Sequence, residues 1–355
     1  MERVHFQQEQ MLDELKDLVE KGIFTKQETK QILKKRTEFE AALVRRVAKK
    51  TDFLRYVSYE MSLEQLRRKR IQRLKIVSTP ATISDHSLVR RQFQIFERAL
   101  KRFKADVDLW LEYISVAKRE GASTLVGRVV ARAIQMHPDN ASLYVIAAQH
   151  EIENGSPSAA RTLLQRGLRI NADSIPLWTE YVRLEVAFME SLRRRWDVLG
   201  LDPKGKGKGT EEDEARAQVM AGGIVKEVIG QAVMSSELFE GLIAVVKDEP
   251  GLVDAVYARL GECPDTRAAK VVALRAIEGR TGLALVDAVQ HANQSMKARC
   301  ELAGGEEEAI LEYTDFCRRA REMVSDPALR EYLDASARRV AENSKPRTEY
   351  AADLL

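Results

Sequence analysis

Two histidines four residues apart on one helix face, with a glutamate beside the first, would hold zinc and activate a bound water. The segment HEIEN at 150–154 supplies His150 and Glu151 but sets Asn154 where the second ligand must stand, so no metal site is expected there. Gly200, Gly205 and Lys206 have the spacing of a phosphate-binding loop. Gly207 follows, however, where a Ser or Thr must reach the magnesium, and no apolar strand leads into the loop; a linker is the better reading. Cys263, Cys300 and Cys317 are widely spaced and form no Cys-x-x-Cys pair, which points to reduced thiols rather than structural zinc. With no Gly-x-Ser-x-Gly elbow and no cysteine given a plausible His and acid partner, neither an enzyme nor a cofactor is expected.

The cationic residues are harder to set aside. Eleven Lys or Arg fall within 41–75 against Asp52, Glu60 and Glu64, a local balance of +8 in a chain whose formal charge is +3. The rest of the chain is therefore acidic, and attraction to phosphate is concentrated near the N-terminus. Arg45, Arg46, Lys49, Lys50, Arg67, Arg68, Lys69, Arg70, Arg73 and Lys75 form a candidate contact patch for RNA phosphate or an acidic partner. The run RRKRIQRLK at 67–75 admits three readings: a solvated helix surface, a phosphate-facing patch, or a nuclear-import signal. No aromatic interleaves with it, so any RNA contact would be to the backbone and sensitive to salt.

The elements that would carry these residues are helices. In SIPLWTEYVRLE, Trp178, Tyr181 and Glu185 share one helix face. The row returns at a spacing of 34, as Tyr144, Ala147 and Glu151, and again as Trp110, Tyr113 and Ala117. A second row keeps the same spacing: Arg98, Ala99 and Leu100; Arg132, Ala133 and Ile134; Arg166, Gly167 and Leu168. Bulky rings on one helix and small residues on the next predict stacked helix-turn-helix units, an all-α right-handed solenoid. Phe53, Tyr56 and Glu60 repeat the aromatic, aromatic, acid offsets and read as a divergent first unit. Phe53, Tyr56, Glu60, Ala99, Trp110, Tyr113, Ala133, Tyr144, Glu151, Gly167, Trp178, Tyr181 and Glu185 are accordingly read as packing residues and not as a binding face.

Before the repeats, QQEQMLDELKDLVEKGIF reads as an amphipathic helix with Met11, Leu12, Leu15, Leu18 and Val19 inward and Gly22 as its stop. Thr25 and Glu28 form a capping box that starts a second helix. The expected division is a helical segment over 1–50, a repeat solenoid over 51–199, a Gly- and Lys-rich loop over 200–214, degenerate repeats over 215–343 and a tail over 344–355. Beyond 215 only Phe239 reads as an occupant of the aromatic place. The opening MERVHFQQEQ has no signal-peptide pattern and no apolar run approaches 18 residues, so an intracellular protein with no membrane contact is expected.

The spacing of 34 with aromatic, aromatic and acid places resembles the half-a-TPR (HAT) repeat, a TPR-like helical hairpin found mainly in RNA-processing proteins. The stretch LKDLVEKGIFTKQETKQILKKRTEFEAALVRR, followed by KKTDFLRYVSYEMSLEQLRRKR, further resembles the opening of the U3 small nucleolar RNA-associated protein 6 family. The specific likeness covers about 4–73 and the looser repeat likeness reaches about 195. It implies HAT hairpins behind an N-terminal helical extension, in a non-enzymatic scaffold of the small-subunit processome. Such a protein would sit in the UTP-B subcomplex beside WD-repeat (β-propeller) subunits, in the nucleolus of the nucleus, and serve pre-rRNA processing with U3 small nucleolar RNA and pre-rRNA. Two alternatives stand beside it: a HAT scaffold of splicing or 3′-end formation, and a solenoid that grips RNA directly.

Overall fold

A computed structural model describes residues 2–75, 83–199, 218–302 and 307–343, and every regular element among them is an α-helix. The chain divides into two compact units, Met1–His150 and Glu151–Leu355.

In the first unit, α1 (Glu2–Glu20) ends at Gly22, whose φ of +68° reverses the chain without the Cβ penalty that other residues meet there. Met11, Leu15 and Leu18 are buried as the periodicity required, whereas Leu12, expected inward, is 42% exposed. The Thr25 hydroxyl accepts from the Glu28 amide at 3.2 Å while the Glu28 carboxylate accepts from the Thr25 amide at 2.8 Å, which completes the capping box of α2 (Lys26–Val44). Helices α3 (Lys50–Leu74) and α4 (Ile83–Arg102) pack together, and α1 packs on both α2 and α4. The expected loop IVSTPATISDHS is only partly so: 76–82 lies outside the described residues, and ISDHS opens α4.

The 34-residue hairpins follow as α5 (Val107–Arg119), α6 (Ser123–Met136) and α7 (Ala141–Glu153), the last crossing the division between units. In the second unit, α8 (Pro157–Ile170) packs on α9 (Ile175–Leu199). Glycines at the same repeat place, Gly121 and Gly155, take φ of +72° and +77° and stop α5 and α7. One spacing further on, the place holds Met189, and α9 runs on without a break. The repeat falls out of register near Trp196, just where that glycine is missing.

The remaining helices are α10 (Gly223–Gln231), α11 (Ser236–Val246), α12 (Pro250–Gly261), α13 (Thr266–Ile277), α14 (Leu283–Leu302), α15 (Glu307–Met323) and α16 (Pro327–Asn343). Phe239 is not the sole aromatic of its kind among them. Tyr313, Phe316 and Ala320 on α15 reproduce the offsets of Trp110, Tyr113 and Ala117, and all three are fully buried. They lie in a core with Ala273, Val289 and Leu333.

Candidate interaction surface

The repeat rows are held by bonds that recur with the same spacing. The indole Nε1 of Trp110 donates to the Lys104 carbonyl at 3.0 Å, and that of Trp178 to the Ala172 carbonyl at 2.7 Å, each six residues upstream in the preceding turn. Tyr56 stacks on Phe39 at 5.1 Å and Tyr113 on Phe96 at 4.9 Å, both pairs seventeen residues apart. This equivalence places Phe53 and Tyr56 in the row that Trp110 and Tyr113 occupy. Tyr144, Ala99, Ala133, Gly167, Trp178 and Tyr181 are also buried, while Glu151 is half-buried.

The acid of the row has a partner that the sequence reading missed. Arg36 Nε and Nη2 each donate to Glu60 at 2.7 Å, and Arg161 donates likewise to Glu185 at 2.5 and 2.8 Å. In both cases the arginine precedes the acid by twenty-four residues, a spacing that could have been read beside the aromatic rows. Ahead of Glu151 that place is Gly127. Arg36 is fully buried; loss of water works against its charge, yet the Glu60 carboxylate outweighs that and raises its pKa above the usual arginine value.

The candidate basic patch does not form one surface. Arg67 is buried, its Nε and Nη2 donating to Glu64 at 2.8 and 2.9 Å and Nη2 also to the Asp85 carbonyl at 3.1 Å. Arg68 bridges Glu64 and Glu120. Arg70 is bidentate on Glu28 at 2.9 and 2.6 Å and lies over the Phe24 ring at 4.8 Å. That bond to Arg70 is the chief reason the Glu28 carboxyl is held down at about 2. Lys50 pairs with Asp106 at 2.6 Å. Of the ten candidate cations, those left exposed and without an ion pair among the described residues fall in two groups. Arg45, Arg46 and Lys49 lie at the corner between α2 and α3, and Lys69, Arg73 and Lys75 at the C-terminal end of α3. At 1.5 Å per residue, the helix between Lys49 and Lys69 sets these groups about 30 Å apart.

Residues read as possible chemistry have other settings. His150 is buried, and among the described residues no group of three or more His, Cys, Asp or Glu is placed to hold a metal. Gly200, Gly205, Lys206 and Gly207 lie outside the described residues. Cys300 and Cys317 are buried, and burial pushes the Cys317 thiol up to about 11, far from the thiolate a nucleophile needs. No described helix is long and apolar enough to cross a membrane.

A helical-repeat protein with surface cations is the class this arrangement defines. Residues 8–92 match the family model described as U3 small nucleolar RNA-associated protein 6. The protein of that name from Schizosaccharomyces pombe is 44% identical over 199 residues, covering 56% of this chain and 41% of its own length. The homolog from Mus musculus is 31% identical over 240 residues, covering 67% of this chain and 40% of its own, and that from Homo sapiens 34% over 187 residues, covering 52% and 31%. Over part of its length the chain is thus similar to the U3 small nucleolar RNA-associated protein 6 family, which its N-terminal motifs resemble, and it spans about two fifths or less of these relatives' lengths. Among solved structures, a TPR repeat-containing protein from Cytophaga hutchinsonii covers 84% of this chain and 97% of its own at 15% identity and a TM-score of 0.28. MamA protein covers 71% and 95% at 13% identity and a TM-score of 0.25. Scores this low add nothing to the architecture described above.

Proposed function

We propose that this chain is a non-catalytic scaffold in pre-rRNA processing, a nucleolar subunit of the small-subunit processome that works with U3 small nucleolar RNA toward 18S rRNA. The observation that carries the reading is the family match over 8–92, which falls on the helices α1 to α4 that buried ion pairs lock together. In finer terms, the hairpins are HAT repeats and the partners are WD-repeat subunits of UTP-B. Stacked hairpins offer a long surface along which a propeller edge or an extended segment can lie, so the work is geometric and needs no reacting group. The separated groups Arg45, Arg46, Lys49 and Lys69, Arg73, Lys75 are the cations free to meet RNA phosphate or an acidic partner.

Affinity purification of the tagged protein from cells, with proteins and RNAs both read in the eluate, tests this. WD-repeat processome subunits with U3 and pre-rRNA are the expected recovery. Spliceosomal or 3′-end-processing components in their place would reject the processome assignment and leave only the helical-repeat fold.

A further inference from the structure

Within the first unit, α4 and α6 line a groove of about 550 Å³. Its charged walls divide by what they already bond. Arg98 donates to Glu40 at 2.9 and 2.8 Å, and Glu97 accepts from Arg132 at 2.9 and 3.0 Å and from the Tyr113 hydroxyl at 3.2 Å. Those groups are satisfied within the chain. Arg90, Lys101 and Arg128 also line the groove, are exposed and make no ion pair among the described residues.

A fourth cation is buried in the groove wall. Arg91 is only 6% exposed and donates Nη2 to Glu14 at 2.7 Å, but its Nε is buried with no hydrogen-bond partner. Buried guanidinium N–H groups are almost always paired, because losing water without gaining an acceptor is costly. That nitrogen has no accessible surface, so its cost is borne inside the wall, and the exposed cations are the groups an incoming ligand meets. Phe93 and Leu125 add apolar surface beside these cations. The Phe93 ring is tilted against Tyr113 at 6.0 Å, an edge-packed ring rather than a platform for a base.

We propose that this groove binds an acidic, extended polypeptide segment of a partner protein. Its carboxylates meet Arg90, Lys101 and Arg128, and an apolar side chain seats against Phe93 and Leu125. An RNA strand fits less well. Phe93 and Leu125 put apolar surface beside the cations that a phosphate backbone leaves unused, whereas a peptide can alternate acids with an apolar side chain. The proposal deepens the scaffold reading and rests on it for the class of partner.

The test is fluorescence anisotropy on the full chain, with a fluorescein-labelled peptide of repeating Glu-Asp-Leu, the same peptide with Lys in place of its acids, and a labelled oligouridine RNA. The acidic peptide alone should bind, with an affinity that falls as salt rises. The double variant Arg90→Glu with Arg128→Glu, at exposed positions and checked for unchanged helicity by circular dichroism, should weaken it at least ~10-fold, as removing complementary charges does. Lys101→Glu alone should weaken it less. No binding of the acidic peptide, equal binding of the lysine peptide, or preferential binding of the RNA lost in the double variant would each overturn the assignment. Because the probe is synthetic, such a failure leaves the affinity purification above to judge the scaffold reading by itself.

Discussion

Among the described residues, the first unit buries several charged side chains where the second buries almost only apolar ones, alanines among them. In the first unit Arg36, Glu40, Glu60, Arg67 and Arg91 are all buried and tied to partners far away in sequence, and the buried Glu64 holds Arg67 and Arg68 from its own helix. In the second, the buried polar residues among those described are Glu180, Glu185 and Asn293, and the helices meet over alanines such as Ala268, Ala273, Ala292, Ala309 and Ala320. The contrast concerns specificity. A buried ion pair tolerates one geometry and is ruinous if half of it is removed, so it fixes which helices meet. Alanine contacts let helices approach closely but discriminate weakly between neighbours. The first style writes particular residues at particular places, and the second leaves a faint and generic pattern.

The comparison is most easily broken at Arg36 and Glu60. Arg36→Met leaves the Glu60 carboxylate buried and alone and is expected to cost about 3–5 kcal/mol, and Glu60→Gln leaves the guanidinium only the longer pair with Glu14 at 3.8 Å and is expected to cost somewhat less. The double variant Arg36→Met with Glu60→Met should cost less than either single change, since neither leaves a charge behind. Urea titrations followed by circular dichroism give the three values. Additive losses would mean that the pair is not the coupled unit its geometry implies.

A smaller effect probes the second unit. The Tyr313 hydroxyl donates to Asn293 Oδ1 at 2.7 Å, and Asn293 in turn donates to the Tyr332 and Ser336 hydroxyls at 3.0 and 3.2 Å. Tyr313→Phe removes the donor and strands a buried amide oxygen, at an expected cost of about 1–3 kcal/mol. Hydrogen exchange should rise in α15 and α16. An unchanged exchange rate there would show that this polar cluster does not hold the two helices.

These same contrasts explain what the sequence disclosed. The helical class, the capping box of Thr25 and Glu28, and the buried rows at Trp110 and Trp178 were legible because periodicity and capping are local. The row of Tyr313, Phe316 and Ala320 is not legible in the same way because it lies off the 34-residue spacing, which has no successor to Gly121 and Gly155 at Met189. The basic patch was legible only as composition. Whether Arg67, Arg68 and Arg70 face solvent depends on Asp85, Glu120 and Glu28, residues brought beside them by packing that charge counting does not see.

Acid should loosen the first unit in a window set by Glu28. Its folded pKa of about 2 lies below the ordinary value of 4.5, so the carboxylate's contribution is fully present above the ordinary value. That contribution is lost as pH falls through the folded value, because the unfolded chain takes up the proton first. The pair with Arg70 is partly exposed, so the effect is screened and the gap between wild type and Glu28→Gln at neutral pH should be about 1 kcal/mol or less. The gap should close on titration toward pH 2. A gap independent of pH over that range would show that the capping geometry, not the charge, is what Glu28 supplies.

The finest test is a hydroxyl whose removal should cost nothing. Tyr56 occupies the row place that Tyr113 holds in the next repeat, but the two hydroxyls differ: Tyr113 donates to Glu97, and the Tyr56 oxygen is buried without a hydrogen-bond partner. Burial, and then the nearby Glu60 and Glu40 carboxylates, raise the Tyr56 pKa, so it stays a neutral phenol. Tyr56→Phe keeps the ring stacked on Phe39 and discards only the unpaired group. Because an unsatisfied buried hydroxyl already carries its desolvation penalty, the change is expected to be neutral or stabilising by up to about 1 kcal/mol, while Tyr113→Phe should destabilise by about that amount. Paired urea titrations of the two variants decide it. If Tyr56→Phe proved as damaging as Tyr113→Phe, its hydroxyl would have an unseen acceptor, such as an interior water shared with Gln92, whose amide atoms are likewise buried and unpaired. The first unit would then be built on a hydrated polar core rather than on ion pairs alone.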